Sequence, residues 1–189
     1  MDNGTIMDHL KRNGAVDLNK RLLEVAEGLS YLHSKNVVHG DLRGSNILIG
    51  PDFSVVISDF GLAVFSDGRV GDTGSAHSGS THWQAPELIR PEKFGLERFT
   101  RTKQSDIFAY GSVCFEVHTG EPPFLKDLVG MKISDGERPD RPVNDERCQI
   151  NDKLWVLMSM CWSHQRERRP EAATVVETMR SWQQGQLGA

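Results

Sequence analysis

The chain has 189 residues, enough for one core of common domain size and at most two. Its 38% hydrophobic and 25% charged residues are globular proportions, which excludes a disordered or fibrous chain. Twenty-two basic against 26 acidic residues give a net charge of −4, without the basic excess that nucleic-acid binding needs. From Asp17 the apolar residues Leu18, Leu22, Val25, Ala26, Leu29 and Leu32 fall on one helical face, and Asp17 is placed to cap that helix. After Asn36 come the short runs Val37-Val38 and 47–49, then the turn Gly50-Pro51-Asp52 and the run 55–57, which together predict a small hairpin. Between positions 66 and 80 apolar residues almost vanish, so this stretch is expected to be a loop, longer than compact domains usually carry without a function. Residues 105–118 are apolar nearly all round, as in a helix through the centre of a domain, and Gly120-Glu121-Pro122-Pro123 stops it. Two more helices are expected near 152–162 and 172–182, across the charged stretch 165–170. The fold class is therefore mainly α with a small β-hairpin.

The cysteines Cys114, Cys148 and Cys161 are odd in number and form no CxxC pair, so neither a disulfide framework nor a zinc spacing is offered. The first residues are acidic where a signal peptide is basic, and no run approaches 18 uncharged apolar residues. A soluble, cytoplasmic protein with no membrane-spanning segment is expected.

His39-Gly40-Asp41-Leu42-Arg43-Gly44-Ser45-Asn46 sets an Asp and an Asn five apart between the long helix and the hairpin. Such a pair can accept a hydroxyl proton and ligate a metal; it can equally satisfy backbone groups in a turn. Asp59-Phe60-Gly61 follows the hairpin and Ala85-Pro86-Glu87 ends the polar loop, each alone readable as a turn or helix start. Their order is what decides: HxDLxxxN, DFG, a 28-residue interval to Glu87, APE, then Ser105-Asp106 on the buried helix. In that order the chain resembles the protein-kinase catalytic domain. Cys161-Trp162 followed by Arg169-Pro170 is similar to the end of tyrosine-kinase-like and tyrosine kinase domains, and residues 1–10 resemble the segment just past their interlobe hinge.

The resemblance implies phosphoryl transfer from ATP with Mg2+ to a protein substrate. Asp41 matches the residue that positions the substrate hydroxyl and accepts its proton, with Arg43 supplying positive charge near the transferring phosphate. Asn46 and Asp59 match the Mg2+ ligands, and Leu48 and Asp59 join Asn46 on the nucleotide. Glu87 and Arg169 match a buried ion pair, Asp106 an acceptor of catalytic-loop N–H groups, and His39 and Phe60 two stacked spine residues. The expected organisation is one partial kinase domain over 1–189: catalytic loop 39–46, activation segment 59–87, C-terminal helices 102–184.

Gly79-Ser80-Thr81-His82-Trp83 resembles the Ser/Thr-type pattern more than the Tyr type, with Ser80 able to bond towards Asp41. Gly40 stands where the family usually has an Arg that pairs with a loop phosphate, so weak dependence on phosphorylation at Ser75, Ser78 or Thr81 is expected. The sequence carries no Gly-rich loop, no strand Lys and no partner Glu, so the N-terminal lobe is expected to be absent and transfer by the isolated chain impaired. Association through the uncovered lobe-facing surface, which includes Leu48 and Phe60, is then expected. Two rivals stand beside this reading: a small-molecule phosphotransferase, whose loop also reads His-Gly-Asp with an Asn five further on, and a kinase-like module without catalysis.

Overall fold

A computed structural model describes residues 3–14, 17–60, 63–65, 81–124, 128–142 and 150–184. Helix α1 (Ile6–Asn13) is set by its ends: the Thr5 hydroxyl accepts the Asp8 N–H at 3.1 Å while the Asp8 carboxylate accepts the Thr5 N–H at 3.1 Å, with Lys11 and Arg12 in the last turn. Helix α2 (Leu18–Ser34) starts as expected on Asp17, which accepts the Lys20 N–H at 3.2 Å. It buries Leu22, Val25, Ala26 and Leu29 on the face read from the sequence.

Strands β2 (Ile47–Ile49) and β3 (Val55–Ile57) form the expected hairpin, antiparallel with Ile47 opposite Ile57 and Ile49 opposite Val55. The Gly50 N–H closes the turn on the Ser54 carbonyl at 2.8 Å. The sequence placed Val37-Val38 with this hairpin; the structure instead pairs β1 (Val37–Val38) with β4 (Val64–Phe65) in a second antiparallel sheet. Two-residue strands leave no period to read, which is why this pairing escapes the pattern.

Helix α3 (Pro86–Ile89) is a single turn with proline at its start. Helix α4 (Lys103–Thr119) is the axis of the molecule: its residues 105–118 are all buried, the Thr102 and Ser105 side chains and N–H groups cap each other, and Gly120 at φ +78 ends it in the left-handed conformation. Helix α5 (Val129–Ser134) follows, then α6 (Asp152–Cys161) and α7 (Ala172–Gln184), each within two residues of its expected bounds. Helix α2 lies along α7 and α4 along α6, so one core gathers Leu22, Leu29, Ile107, Leu154, Met158 and Val175. Each such fully buried aliphatic side chain contributes about 1.5–3 kcal/mol. Within the core the Tyr110 hydroxyl donates to the Leu22 carbonyl at 3.1 Å.

The molecule is mostly helical with two small sheets, which bears out the fold class at that level. Cys114 and Cys161 are buried free thiols, while Cys148 and the polar stretch 66–80 lie outside the described residues. Among the described residues no helix is long and apolar enough to cross a membrane.

Candidate active site

The site is built upward from α4. Asp106 is 1% exposed on an apolar helix, a placement that is costly unless the carboxylate is bonded. It is: Oδ2 accepts the His39 N–H at 2.8 Å and His33 Nε2–H at 2.9 Å, and Oδ1 accepts the Gly40 N–H at 2.8 Å. The backbone entering the HGD segment is thereby fastened to the centre of the fold. His39 is fully buried and adds a second tie, its Nε2–H donating to the Ser58 carbonyl at 2.9 Å and its Nδ1 accepting the Asp41 N–H at 3.2 Å. Since a carbonyl only accepts, those partners fix which ring nitrogen carries the proton.

Asp41 follows directly. Asn46 Nδ2 donates to the Asp41 carbonyl at 2.8 Å and to its Oδ2 at 3.2 Å, and Arg43 Nε lies 3.5 Å from the same Oδ2. That Arg43 approach is an ion pair without hydrogen-bond alignment, because Nε is buried and bonded to nothing among the described residues. One carboxylate oxygen of Asp41 is therefore braced from two sides, and the other, Oδ1, has no partner among the described residues.

The hairpin brings the next pair together. Ser58, one residue past β3, donates its N–H at 2.9 Å and its hydroxyl at 3.0 Å to the Asn46 carbonyl, so Asn46 and Asp59 stand at the same end of β2–β3. Asp59 sits at φ +63, a left-handed conformation uncommon for anything but glycine, asparagine or aspartate. Phe60 meets the edge of His39 with ring centroids 5.4 Å apart, the expected stacking, and is 49% exposed. Leu48, mid-strand in β2, is half-buried and bridges to Thr5. Gly61 and Ser80 lie outside the described residues.

Glu116 was not anticipated. Its Oε2 accepts the Gly44 N–H at 2.8 Å and the Trp83 indole N–H at 2.9 Å, tying the loop after Asp41 to the stretch before Ala85. Burial pushes its carboxyl up from the usual range, while those two donors and the nearby Arg43 charge pull it back. The signal in the sequence was a second carboxylate, besides Asp106, on a mostly apolar helix. The expected pair is present: Arg169 grips Glu87 through two bonds of 2.6 and 2.7 Å, both side chains fully buried, and also donates to the Gln104 and Ser163 carbonyls.

The donor set of Asn46 and Asp59, one amide oxygen and one carboxylate, suits a hard cation that takes its remaining ligands from phosphate and water. Among the described residues no three His, Cys, Asp or Glu side chains converge as an all-protein metal cage.

A family model described as protein tyrosine and serine/threonine kinase matches residues 1–179. The chain belongs to that kinase family. It is 32% identical over 95% of its length to a tyrosine-protein kinase, SPK-1, of Girardia tigrina, and 31% identical over 95% to the serine/threonine-protein kinase STY46 of Arabidopsis thaliana. It is 29% identical over 99% to the human receptor-interacting serine/threonine-protein kinase 1. The chain covers 37%, 30% and 30% of these kinases, about a third of the length of the curated relatives it matches. Kinases named for tyrosine and for serine/threonine both stand among the relatives, so family membership leaves the acceptor hydroxyl to the site itself.

Proposed function

We propose that this chain is the C-terminal lobe of a protein kinase and transfers the γ-phosphate of ATP to Ser or Thr hydroxyls of a protein substrate. One observation carries the reading: Asp41 is braced at Oδ2 by Asn46 and Arg43, with no partner on Oδ1 among the described residues, beside a hairpin end that bears Asn46 and Asp59. In this reading Asp41 orients the acceptor hydroxyl and takes its proton at Oδ1, a contribution of about 10²–10⁴ in rate. Arg43 holds positive charge beside that carboxylate, matching the charge that builds on the transferred group. Asn46 and Asp59 would hold Mg2+, which would neutralise charge on the phosphates. Leu48 offers its half-buried side chain as apolar surface to the nucleotide. The segments divide as catalytic loop 39–46, activation segment 59–87 and C-terminal helices 102–184.

Serine or threonine is favoured as acceptor because Gly79-Ser80-Thr81 precedes Trp83, a small, hydroxyl-bearing stretch. The half-exposed Phe60 and the Leu48 strand mark the face on which a nucleotide-binding lobe or another protein sits. The 189 residues hold the nucleotide from one side only, so transfer by the chain alone is slow.

The test is a peptide phosphorylation assay with Mg-ATP on the purified chain, alone and mixed with a Gly-rich kinase lobe. Slow transfer, faster in the mixture and reduced about 10²–10⁴-fold by Asp41→Asn, is expected. Transfer that survives Asp41→Asn overturns the role of Asp41; fast transfer by the chain alone overturns only the claim that it is slow.

A further inference from the structure

Gly40 is the point where the loop carrying Asp41 has most freedom, since a glycine at φ +81 has no Cβ to restrict it. Yet its peptide groups are held on both sides. Its N–H goes to Asp106 Oδ1 at 2.8 Å, and its carbonyl accepts Arg101 Nε–H at 3.2 Å. Both side chains come from one place: Arg101 directly precedes the Thr102 cap of α4, and Asp106 lies in that helix's first turn.

Arg101 is poised to hold rather than to wander. It is 7% exposed, and its guanidinium lies over the Phe99 ring at 4.7 Å, which sets the plane of the head before any bond is made. A guanidinium this buried is retained only where acceptors meet it, and the Gly40 carbonyl is one.

The Gly40 carbonyl and the Asp41 N–H belong to one planar peptide unit. Arg101 holds the oxygen of that plane at 3.2 Å and His39 Nδ1 holds its N–H at 3.2 Å. With both edges fixed, the plane cannot rotate, and the direction in which Asp41 leaves the backbone is set before the Asn46 and Arg43 contacts act on its side chain. We propose that Arg101 is a positioning residue for Asp41, clamping the 40–41 peptide where glycine would leave it loose. It touches no reacting atom. The proposal rests on the reading of Asp41 as proton acceptor, and no motif in the sequence marks position 101.

Arg101→Leu removes the donor and keeps an apolar partner for Phe99; Arg101→Lys keeps charge and a donor. Two measurements on the full chain test the pair. In amide hydrogen exchange, Arg101→Leu speeds exchange at Gly40 and Asp41 about tenfold, as expected for a lost bond from a charged donor, while the core of α4 keeps its protection. In the peptide assay with the added lobe, Arg101→Leu lowers kcat about ten- to a hundredfold with KM for ATP and peptide within twofold, and Arg101→Lys recovers most of the loss. Where Arg101→Leu lowers the folded fraction, Arg101→Gln, polar but too short to reach the carbonyl, replaces it in both arms. Unchanged exchange at 40–41, or a fall in kcat that Arg101→Lys does not relieve, overturns the clamp. If the wild-type chain transfers no phosphate even with the lobe, the functional reading fails and exchange alone decides the proposal.

Discussion

Two regions of the molecule use the same side chains to opposite ends. Beneath the loop, Asp106 accepts three hydrogen bonds and Glu87 is gripped by two from Arg169, each carboxylate filled by the protein's own donors and sealed from water. At the edge, Asp41 receives its Asn46 and Arg43 side-chain contacts on a single oxygen, with none on the other among the described residues, and has a side chain 10% exposed, against 1% for Asp106. A carboxylate whose bonds are all internal fixes geometry; one with an oxygen left over can receive a proton or a ligand. The difference lies in how many donors the fold aims at each group, not in residue type.

The largest expected effect probes the sealed region. Glu87→Ala leaves the fully buried Arg169 with its charge uncompensated and should cost about 3–5 kcal/mol in urea unfolding. Replacing both partners by apolar residues should recover most of that, because the pair's desolvation cost leaves with it. Asp41→Ala, in the same assay, should change stability by less than about 1 kcal/mol, since its charged partner Arg43 has a side chain 31% exposed, against 0% for Arg169. Equal losses for Glu87→Ala and Asp41→Ala would erase the contrast between the two regions.

One group in the sealed region breaks its rule. His118, near the end of α4, is 5% exposed, and neither ring nitrogen has a partner among the described residues. Burial pushes its pKa down to about 4. The sign follows: between about pH 6.5 and about 4 the unfolded imidazole binds a proton that the folded one refuses, so stability is full above this window and falls as pH drops through it. From pH 7 to about 4.5 the loss attributable to His118 should be about 2–3 kcal/mol, and His118→Leu should remove it. Urea unfolding of wild type and variant at the two pH values measures this; parallel pH curves would show that the ring charges without cost and is not sealed.

How much of this was legible in the sequence follows the length scale of each signal. Helices α2, α4, α6 and α7 carry apolar stripes over ten or more residues, and each could be placed within two residues. Helix α1 could not, because eight residues hold barely two turns and its stability comes from the Thr5–Asp8 reciprocal bonds instead. The β1–β4 pairing spans two residues a side, too short for a periodic signal, and joins segments that lie on either side of the β2–β3 hairpin in the chain. In the site, Asp41, Arg43, Asn46 and Asp59 stood out by ordered spacing, and the Glu87–Arg169 and Asp106 anchors through the same resemblance. Glu116 and Arg101 did not, since each acts on a backbone group of a glycine, and a backbone acceptor or donor leaves no letter in the sequence.

The smallest effect tests the seam between the regions, at Gly44. A methyl group there would stand 2.8 Å from Met7 Cγ and 2.9 Å from the Glu116 carboxyl group, closer than side chains tolerate. Gly44 has no left-handed φ to defend, so the reason for glycine is space. Gly44→Ala should cost about 1–3 kcal/mol through overpacking. The two neighbours differ in how they can yield. Met7 is flexible and can swing aside, whereas moving Glu116 strains the bonds to both the Gly44 and Trp83 N–H groups. Repeating Gly44→Ala in a Met7→Ala background separates them by a double-mutant cycle. Relief of the cost there assigns the clash to Met7 and leaves the Glu116 tie intact, while a cost that persists, with faster exchange at the Gly44 amide, shows that the loop after Asp41 is held by Glu116 and gives way only when that carboxylate moves.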